Sequence, residues 1–398
     1  MSPVDNSLKE REEKYVMQTY KRADVLFERG EGALLFDSDG KEYIDLLAGI
    51  SVASVGHSHP HVVAAMAGQA ENLMHVSNLF YTRPMVDLAE RLSESSLGGR
   101  VFFCNSGTEA NECAIKIARK HAHQRGIEEP EIISFERDFH GRTYGSLSAT
   151  PGLAKDPLLG PMLPGFKSVP FDDTAALEAA AGEGTAAIFI EPIQGEAGVF
   201  VVSDESLVAA REICDRTGAL LIFDEVQTGV GRTGSLWAYE QGPVRPDVIT
   251  SAKALGGGAA IGACITNAKT ADVLSPGDHG STFAAGPVAT SAAMAVLDLV
   301  DDPEMLRRIR QLGSSLTKSL TALDGVKAVR GRGLMLAIEL EPGIDSAALN
   351  ADLLKRGLVC NAPRPDSIRL LPPFVLTDEQ AERAVSIIDE ALSSTEPC

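Results

Sequence analysis

The chain has 398 residues, of which 44% are hydrophobic and 23% are charged, and its formal net charge at pH 7 is −19. A chain of this length has room for roughly two or three domains of about 150 residues and can bury a large core. The surplus of acidic residues argues against a nucleic-acid partner or an anionic membrane surface, because both repel a negatively charged protein. Small anions can still bind, but only at a local basic site.

The cysteines and the N-terminus favour a cytoplasmic protein. None of the six cysteines forms a CxxC pair, and several lie in apolar runs, where a reduced thiol acts as a small hydrophobe. No metal site is therefore expected. Residues 1–18 are charged and lack the apolar core of a signal peptide. No stretch approaches the roughly 20 apolar residues of a membrane span.

The elements, taken in chain order, predict an α/β protein. Near the N-terminus, two alternating runs flank Asp39 and Gly40, a pair that favours the tight turn of a β-hairpin. Between about residues 60 and 280, short apolar runs alternate with helical patterns, which predicts a parallel sheet covered by helices on both faces. The predicted strands of this sheet are 100–104, 131–135, 186–191, 219–225, 247–250 and 262–266.

The C-terminal part of the chain has the pattern of a smaller α+β unit. Apolar residues spaced by three and four from Met305 to Leu323 predict an amphipathic helix, and the runs GLMLAIEL and SIRLL predict strands. We therefore expect three parts. They are an N-terminal segment (1–60) that packs with the small domain, a large α/β domain (61–285) and a small α+β domain (286–398).

Polar residues follow three of the predicted strands, at the edge where open parallel sheets bind ligands. After strand 100–104, the residues Asn-Ser-Gly-Thr (105–108) form a turn before a helix that is predicted to begin at Glu109. Backbone N–H groups and the positive end of the helix dipole at such a turn favour a phosphate group. An ordinary helix cap, formed by a Ser or Thr side chain, gives the same pattern.

The other two strands end in a pair of acids and in a lysine. Asp224 and Glu225 follow a buried apolar run, where burying a carboxylate is costly unless it is paired with a cation or a proton donor. The structural alternative is an ion pair with an arginine or a place at a helix N-terminus. Lys253 lies among alanines and glycines, which solvate an ammonium poorly. Poor solvation lowers the pKa of a lysine and makes it a usable nucleophile and base. The alternative is a lysine that extends into solvent.

Together, these three features match what pyridoxal 5'-phosphate requires of a protein. Lys253 would form the Schiff base, and Asp224 would keep the pyridine nitrogen protonated so that the ring can withdraw electrons. The turn at 105–108 would hold the phosphate. The sequence therefore predicts a pyridoxal-phosphate enzyme.

Along nearly its whole length the chain resembles the class III (fold type I) aminotransferases. The stretches that carry the resemblance, in order, are NSGTEANECAIKIAR, FHGRT, EPIQGEAG, IFDEVQTGVGRTG, SAKALGGG, HGSTF and IRLLPP. Within that class the chain looks most like the acetylornithine aminotransferases, because of YVMQTYKR, DLLAGISV, GHSHP and SNLFYT. The resemblance implies a large, mostly parallel sheet domain with a smaller α+β C-terminal domain.

The resemblance also implies which residues contact the cofactor. Those residues are Ser106, Gly107 and Thr108 at the phosphate, Phe139 and Val226 on the two ring faces, Asp224 at the ring nitrogen, Gln227 at the ring hydroxyl, Lys253 at the aldehyde, and Thr282 at the phosphate of the neighbouring subunit. Because Thr282 would act across subunits, the resemblance implies a homodimer with shared active sites.

The family's substrates are N-acetylornithine, an ω-amine donor, and 2-oxoglutarate. Both carry carboxylates, which arginine binds through a two-pronged fork. By resemblance, Arg142 would hold the carboxylate distant from the reacting carbon, and Arg369 would hold the α-carboxylate of 2-oxoglutarate. Glu196 would neutralise Arg369 while the donor is bound. The implied products are N-acetylglutamate 5-semialdehyde and glutamate, a step of arginine biosynthesis.

Ile50 favours an acylated donor over free ornithine. Ornithine aminotransferases tend to place a tyrosine near this position to bind the free α-amino group, although aminobutyrate aminotransferases can also have isoleucine. Ala53 stands where the family often has an asparagine, so the resemblance does not predict the details of the substrate entrance, although it does predict the cofactor. The alternative donors are succinylornithine, ornithine, 4-aminobutyrate and a diaminopimelate precursor. The alternative class is a non-catalytic protein that keeps the fold.

Two other patterns are assigned to structure. GVGRTG (229–234) matches the GxGxxG fingerprint of dinucleotide sites, but DEVQT separates it from the strand and no clear helix start follows. HSHPH (57–61) is interrupted by proline and has no acidic or cysteine partner close by in the sequence, so we expect a structural loop.

Overall fold

Strands and helices alternate through much of the chain in the computed structural model, which describes residues 4–152 and 156–394. The helices of these residues are α1 (Asn6–Tyr15), α2 (Ala48–Ser51), α3 (Pro60–Asn72), α4 (Arg83–Glu94), α5 (Gly107–Gln124), α6 (Tyr144–Ser148), α7 (Thr174–Ala180), α8 (Asp204–Thr217), α9 (Pro287–Val300), α10 (Pro303–Thr321), α11 (Ser346–Lys355) and α12 (Asp378–Ser393).

The strands of the described residues form four sheets. They are β1 (Phe27–Glu31), β2 (Leu34–Asp37), β3 (Glu42–Asp45), β4 (Gly98–Cys104), β5 (Glu131–Phe135), β6 (Phe166–Val169), β7 (Thr185–Ile190), β8 (Ile193–Gln194), β9 (Phe200–Val201), β10 (Leu220–Asp224), β11 (Val248–Ser251), β12 (Gly262–Asn267), β13 (Val326–Arg332), β14 (Met335–Leu340), β15 (Leu358–Val359), β16 (Asn361–Arg364) and β17 (Ser367–Leu370).

The largest sheet of the described residues has seven strands in the order β4-β12-β11-β10-β7-β5-β6. The run from β11 to β6 is parallel, which confirms the mostly parallel sheet. β12 is the exception, because it runs antiparallel to both β11 and β4. Only residues 252–261 join β11 to β12, and a parallel neighbour would need a crossover of about a dozen residues or more.

Strand β6 was not predicted from the sequence. It lies at the edge of the sheet, and its central Lys167 and Ser168 are exposed. An edge strand that is exposed to solvent needs no continuous apolar run, so the hydrophobic pattern carries no signal for it.

Helices cover both faces of the seven-stranded sheet, as expected from its apolar strands. Along β10, Ile222 belongs to the core beneath α5, whereas Leu221 and Phe223 belong to the core on the other face, together with apolar residues of α8. This alternation buries each strand on both sides. The carboxyl ends of β10 and β11 are thus held in place by packing from both layers.

The remaining sheets involve the two ends of the chain. β2 and β3 form the predicted antiparallel hairpin around Asp39 and Gly40, and Gly40 has a φ of +79° that suits glycine. β3 also pairs with the C-terminal strand β15. Strands β13, β14, β17 and β16 form an antiparallel sheet beside α10, the predicted amphipathic helix. The division of the chain at residues 60 and 285 stays a prediction.

Within the described residues, no helix combines the length and the apolar character needed to cross a bilayer. The five cysteines of this part of the chain are buried and form no disulfide, and Cys398 lies outside it.

Candidate active site

The groups predicted at three strand ends converge on one cavity of about 380 Å³. Gly107 and Thr108 reach it from the start of α5, Asp224 from the end of β10, and Lys253 from the turn after β11. The packing of the parallel strands brings these residues together, although up to 146 positions separate them in sequence (253 − 107). Of the other predicted residues, Ser106, Phe139, Arg142, Val226 and Gln227 also line the cavity.

The start of α5 has the features of both a helix cap and an anion site. Ser106 is the N-cap, and its Oγ accepts a hydrogen bond of 3.4 Å from the N–H of Glu109. The helix therefore begins at Gly107, two residues before the predicted start. A Cβ on Gly107 would lie 2.6 Å from Val226 Cγ1, so only glycine allows this close approach. Capping leaves other N–H groups of the first turn without intrahelical acceptors, and these groups can bind an anion.

Asp224 is buried and accepts several hydrogen bonds. Its Oδ2 lies 2.8 Å from Asn111 Nδ2 and 2.9 Å from His140 Nδ1, and its Oδ1 accepts from the N–H of Val226 at 3.0 Å. Asn111 and His140 were not predicted as site residues from the sequence. Asn111 could have been found as a polar residue on the apolar face of α5. These contacts fix the position of the carboxylate beside the cavity.

His140 lies between two carboxylates. Its Nε2 is 3.7 Å from Asp138 Oδ2, its Nδ1 contacts Asp224, and its ring stacks on Phe189 with centroids 4.0 Å apart. Burial alone would lower the pKa of His140, but the carboxylates of Asp138 and Asp224 raise it to about 10. The imidazole is therefore charged at neutral pH and offsets part of the negative charge around Asp224.

Glu225, although adjacent to Asp224, has a structural role. Its carboxylate accepts hydrogen bonds from the N–H groups of Ala238 (2.7 Å) and Tyr239 (2.9 Å) and from Thr228 Oγ1 (3.1 Å). Ala238 begins a 3₁₀ turn, so Glu225 binds a helix N-terminus. This is one of the two structural alternatives predicted for the pair of acids. Burial raises the pKa of Glu225 to about 7.

Lys253 begins a 3₁₀ turn between the buried Ala252 and Ala254, and its φ of +44° is unusual for a residue other than glycine. Burial lowers the pKa of Lys253; the Glu196 carboxylate opposes this effect, and the Arg369 guanidinium adds to it. The structure therefore supports the interpretation of Lys253 as a poorly solvated amine, and not that of a lysine extended into solvent.

Arg369 and Glu196 form an ion pair beside the cavity. The side chain of Arg369 is fully buried, and its Nη1 donates to Glu196 Oε1 at 2.7 Å and to Gln227 Oε1 at 3.3 Å. Asn361 Oδ1 accepts from Nε at 3.2 Å. Burial acts to raise the pKa of Glu196, yet the Arg369 charge holds it below its usual value. Gln227 thus connects the ion pair to the cavity.

A sequence model of the family described as Aminotransferase class-III matches residues 15–392. The chain belongs to the class-III aminotransferases. It is 44% identical over 387 residues to the acetylornithine aminotransferase of Methanocaldococcus jannaschii, covering 96% of this chain and 97% of that protein.

Solved structures of two related enzymes resemble this class-III aminotransferase. The ornithine aminotransferase of Toxoplasma gondii has a TM-score of 0.92 and 36% identity, covering 97% of this chain and 94% of that one. The acetylornithine aminotransferase of Elizabethkingia anophelis has a TM-score of 0.86 and 35% identity, covering 98% of both chains. The family and the fold type I architecture are therefore confirmed.

Of the remaining predicted residues of this aminotransferase, Arg142 lines the cavity and the others do not. Arg142 is exposed, with its guanidinium carbon 5.6 Å from the centroid of the Phe139 ring. Ile50, Glu196, Arg369 and Thr282 do not line the 380 Å³ cavity. Ile50 and Thr282 are exposed in the single chain.

Ile50 lies in a strained turn. Ala48, Ile50 and Ser51 have φ angles of 51°, 63° and 64°, so α2 is a left-handed turn, a conformation that costs roughly 1–3 kcal/mol per residue other than glycine. Asp45 Oδ1 accepts hydrogen bonds from the N–H groups of Leu47 (2.8 Å) and Ala48 (2.9 Å) at its start. Such strain persists only where neighbouring groups hold the backbone in place.

The charged state of His140 predicts a pH dependence of stability. The pKa of His140 rises from 6.5 to about 10 on folding, so its contribution to stability is complete below pH 6.5 and is lost as the pH rises through 10. We expect the unfolding free energy of the wild type to fall over this interval by up to about 1.4 kcal/mol per pH unit more than that of His140→Gln. Denaturant titrations across this range measure both slopes, and equal slopes would contradict the prediction.

Proposed function

We propose that this aminotransferase binds pyridoxal 5'-phosphate and transfers the δ-amino group of N2-acetylornithine to 2-oxoglutarate. The products are N-acetylglutamate 5-semialdehyde and glutamate. The observation that carries the proposal is the convergence of Lys253, Asp224 and the start of α5 on one cavity beside the Glu196–Arg369 pair. The names of the relatives in M. jannaschii and E. anophelis support the choice of donor.

The residues at the cavity fit the proposed cofactor. The start of α5 at Gly107 lines the cavity and offers backbone N–H groups to a phosphate, and Asp224 offers a buried carboxylate to a protonated ring nitrogen. Phe139 and Val226 both line the space and supply apolar contacts for a flat ring, while Gln227 is available to a ring hydroxyl. When bound, the cofactor supplies an aldehyde that captures amines and a ring that withdraws electrons.

Lys253 performs two tasks in this proposal. Its amine would hold the cofactor, and its lowered pKa increases the fraction of neutral amine at physiological pH. As a free amine, it would take the proton from the δ-carbon of the donor as general base and would give that same proton to the cofactor as general acid. Asp224, held by Asn111 and His140, would pair with the protonated ring nitrogen.

The Glu196–Arg369 pair allows one pocket to accept two different substrates. While the donor is bound, Glu196 neutralises Arg369, so Arg369 does not compete with Arg142 for the carboxylate of the donor. When 2-oxoglutarate binds, its α-carboxylate replaces Glu196 as the partner of Arg369. Arg142, exposed at the cavity, binds the carboxylate at the far end of either substrate.

We also propose a homodimer, because an exposed apolar patch lies beside Thr282. Leu79, Phe80, Tyr81 and Phe283 are between 65% and 94% exposed in the single chain, and a patch of this kind marks an interface. Asn78 Nδ2 joins its two segments by donating to the carbonyl oxygens of Ser281 (3.2 Å) and Ala284 (3.1 Å). Sedimentation equilibrium should give twice the mass of the chain, and a monomer would contradict this proposal.

The five described cysteines, buried and without disulfides, support a cytoplasmic location.

The donor is tested by comparing kcat/KM for N-acetylornithine, succinylornithine, ornithine and 4-aminobutyrate, each with 2-oxoglutarate. We expect N-acetylornithine to exceed ornithine by at least about tenfold, because Ile50 offers no partner to a free α-amino group. The proposed donor also requires a higher value for N-acetylornithine than for 4-aminobutyrate. The matched variant Ile50→Tyr should raise the value for ornithine relative to N-acetylornithine.

A higher kcat/KM for ornithine or 4-aminobutyrate would refute the proposed donor but leave the enzyme class intact. A purified protein with no visible absorption band and no activity toward any donor would refute the enzyme class as well. The non-catalytic alternative would then stand.

A further inference from the structure

Arg232 is a buried arginine, and within residues 4–152 and 156–394 its four hydrogen-bond acceptors are all neutral. Its Nε donates to Ser51 Oγ at 2.9 Å, and its Nη2 donates to Ser54 Oγ at 2.6 Å. Its Nη1 donates to the carbonyl oxygens of Leu334 (3.0 Å) and Pro372 (2.7 Å). The side chain is fully buried, and its guanidinium carbon lies 4.6 Å from the centroid of the Phe374 ring.

The guanidinium keeps its charge in this environment. Burial lowers the pKa of Arg232 to about 9, against the opposing effect of the Asp45 carboxylate, and this value is still above neutral pH. A buried cation is costly unless it is fully hydrogen-bonded. The planar guanidinium presents five donors on three nitrogens in a fixed arrangement, whereas a lysine ammonium presents three donors on one nitrogen and cannot reach acceptors spread so widely.

Three of the four acceptors, in Ser51, Ser54 and Pro372, belong to the two segments that carry Ile50 and Arg369, whereas Leu334 lies in the turn before β14. Ser51 follows Ile50 directly and is the last residue of the strained turn α2. Pro372 comes three positions after Arg369 (372 − 369), just beyond β17. Arg232 itself lies in the loop after Gln227, in the GVGRTG stretch that was assigned no chemistry.

Backbone hydrogen bonds also join these two segments. The N–H of Leu371 donates to the carbonyl of Leu46 at 2.7 Å, and the N–H of Phe374 donates to the carbonyl of Ser54 at 2.7 Å. Arg232 lies where the two segments meet and contacts both, so its side chain fixes their separation as well as the geometry of the strained turn.

We propose that Arg232 is a positioning residue for substrate recognition, which ties the turn carrying Ile50 to the strand carrying Arg369. Ile50, which reads the donor, and Arg369, which binds 2-oxoglutarate, are then held at a fixed separation. The inference rests on the proposed function, because that function assigns substrate contacts to Ile50 and Arg369. The linkage between the two segments is a property of the protein alone and is tested separately.

Hydrogen–deuterium exchange of the full-length protein tests the linkage. In Arg232→Lys, the amides of residues 46–54 and those of Leu371 and Phe374 should exchange roughly tenfold faster, the factor expected for loss of charge-assisted hydrogen bonds. Amides of β10 should exchange at the wild-type rate. Unchanged exchange in the two segments, or a uniform increase across the molecule, would overturn the proposal whatever reaction the enzyme catalyses.

Steady-state kinetics test the consequence for recognition. In Arg232→Lys, the Michaelis constants for both the donor and 2-oxoglutarate should rise about tenfold, while kcat changes by less than about threefold. Ser51→Ala removes only the contact with the turn, so it should reduce the preference for N-acetylornithine over ornithine and leave the Michaelis constant for 2-oxoglutarate unchanged.

Arg211→Met is the matched control. Arg211 lies on α8, is largely buried, and donates to Asp247 Oδ2 at 2.9 Å. It does not line the cavity. The variant should lower the melting temperature without changing either Michaelis constant. If Arg232→Lys behaves like this control, Arg232 has only a structural role and the proposal fails. An inactive wild type would instead refute the proposed function, and the exchange experiment would still decide the linkage.

Discussion

Lys253→Ala is expected to lower kcat of the overall transamination by about 10⁴-fold or more, because it removes both the covalent attachment of the cofactor and the general base. The absorption band of the amine-linked cofactor should disappear as well. Borohydride reduction followed by peptide mass analysis should find the cofactor on the peptide containing Lys253 in the wild type, and no such adduct in the variant.

Lys269→Ala is the matched control for this prediction. Lys269 lies just after β12, and its side chain is exposed and outside the residues that line the cavity. Its loss should leave both the spectrum and kcat unchanged. An active Lys253→Ala protein that retains the visible band would refute the assignment of Lys253.

Asp224→Asn is expected to lower kcat by about 10²–10⁴-fold while leaving the fold intact. Asparagine has nearly the same shape, but its amide carries no charge to stabilise a proton on the ring nitrogen. The change also removes one of the two carboxylates that raise the pKa of His140. The measurements are steady-state kcat of the overall reaction and the single-turnover rate constants of the donor and acceptor half-reactions by rapid mixing. Circular dichroism confirms folding.

The neighbouring carboxylate provides the control for Asp224. Glu225→Gln exchanges a buried acid that accepts hydrogen bonds from the Ala238 and Tyr239 backbone and from Thr228. It should reduce the unfolding free energy by about 1–3 kcal/mol and change kcat by less than about threefold. If Asp224→Asn kept wild-type kcat, or if the two variants affected catalysis equally, the role of Asp224 would be wrong.

The similarity to both ornithine and acetylornithine aminotransferases shows why the backbone does not reveal the donor. The structure matches an ornithine aminotransferase with a TM-score of 0.92 and an acetylornithine aminotransferase with 0.86, at 36% and 35% identity. A few pocket side chains decide between such donors at a cost of a few kcal/mol, which leaves the fold unchanged. The proposed donor therefore depends on residues such as Ile50 and on the kinetic comparison above.

The sequence by itself determined the elements and the reactive groups that follow them. Continuous apolar runs predicted most strands of the large sheet, because burial on both faces requires such runs. The residues after those runs included Asp224 and Lys253, since open sheets bind ligands at the carboxyl ends of their strands. Edge strand β6 was missed because its exposed residues carry no apolar pattern.

Only the tertiary structure decided how the side chains are partnered. In the folded chain, Asn111 and His140 contact the carboxylate of Asp224, and Glu225 binds a helix N-terminus. Arg232 donates hydrogen bonds to two segments that are distant from it in sequence. The physical reason is that hydrophobic patterns are local, with periods of two or 3.6 residues, whereas a buried polar group takes whichever partner the fold brings within hydrogen-bond distance.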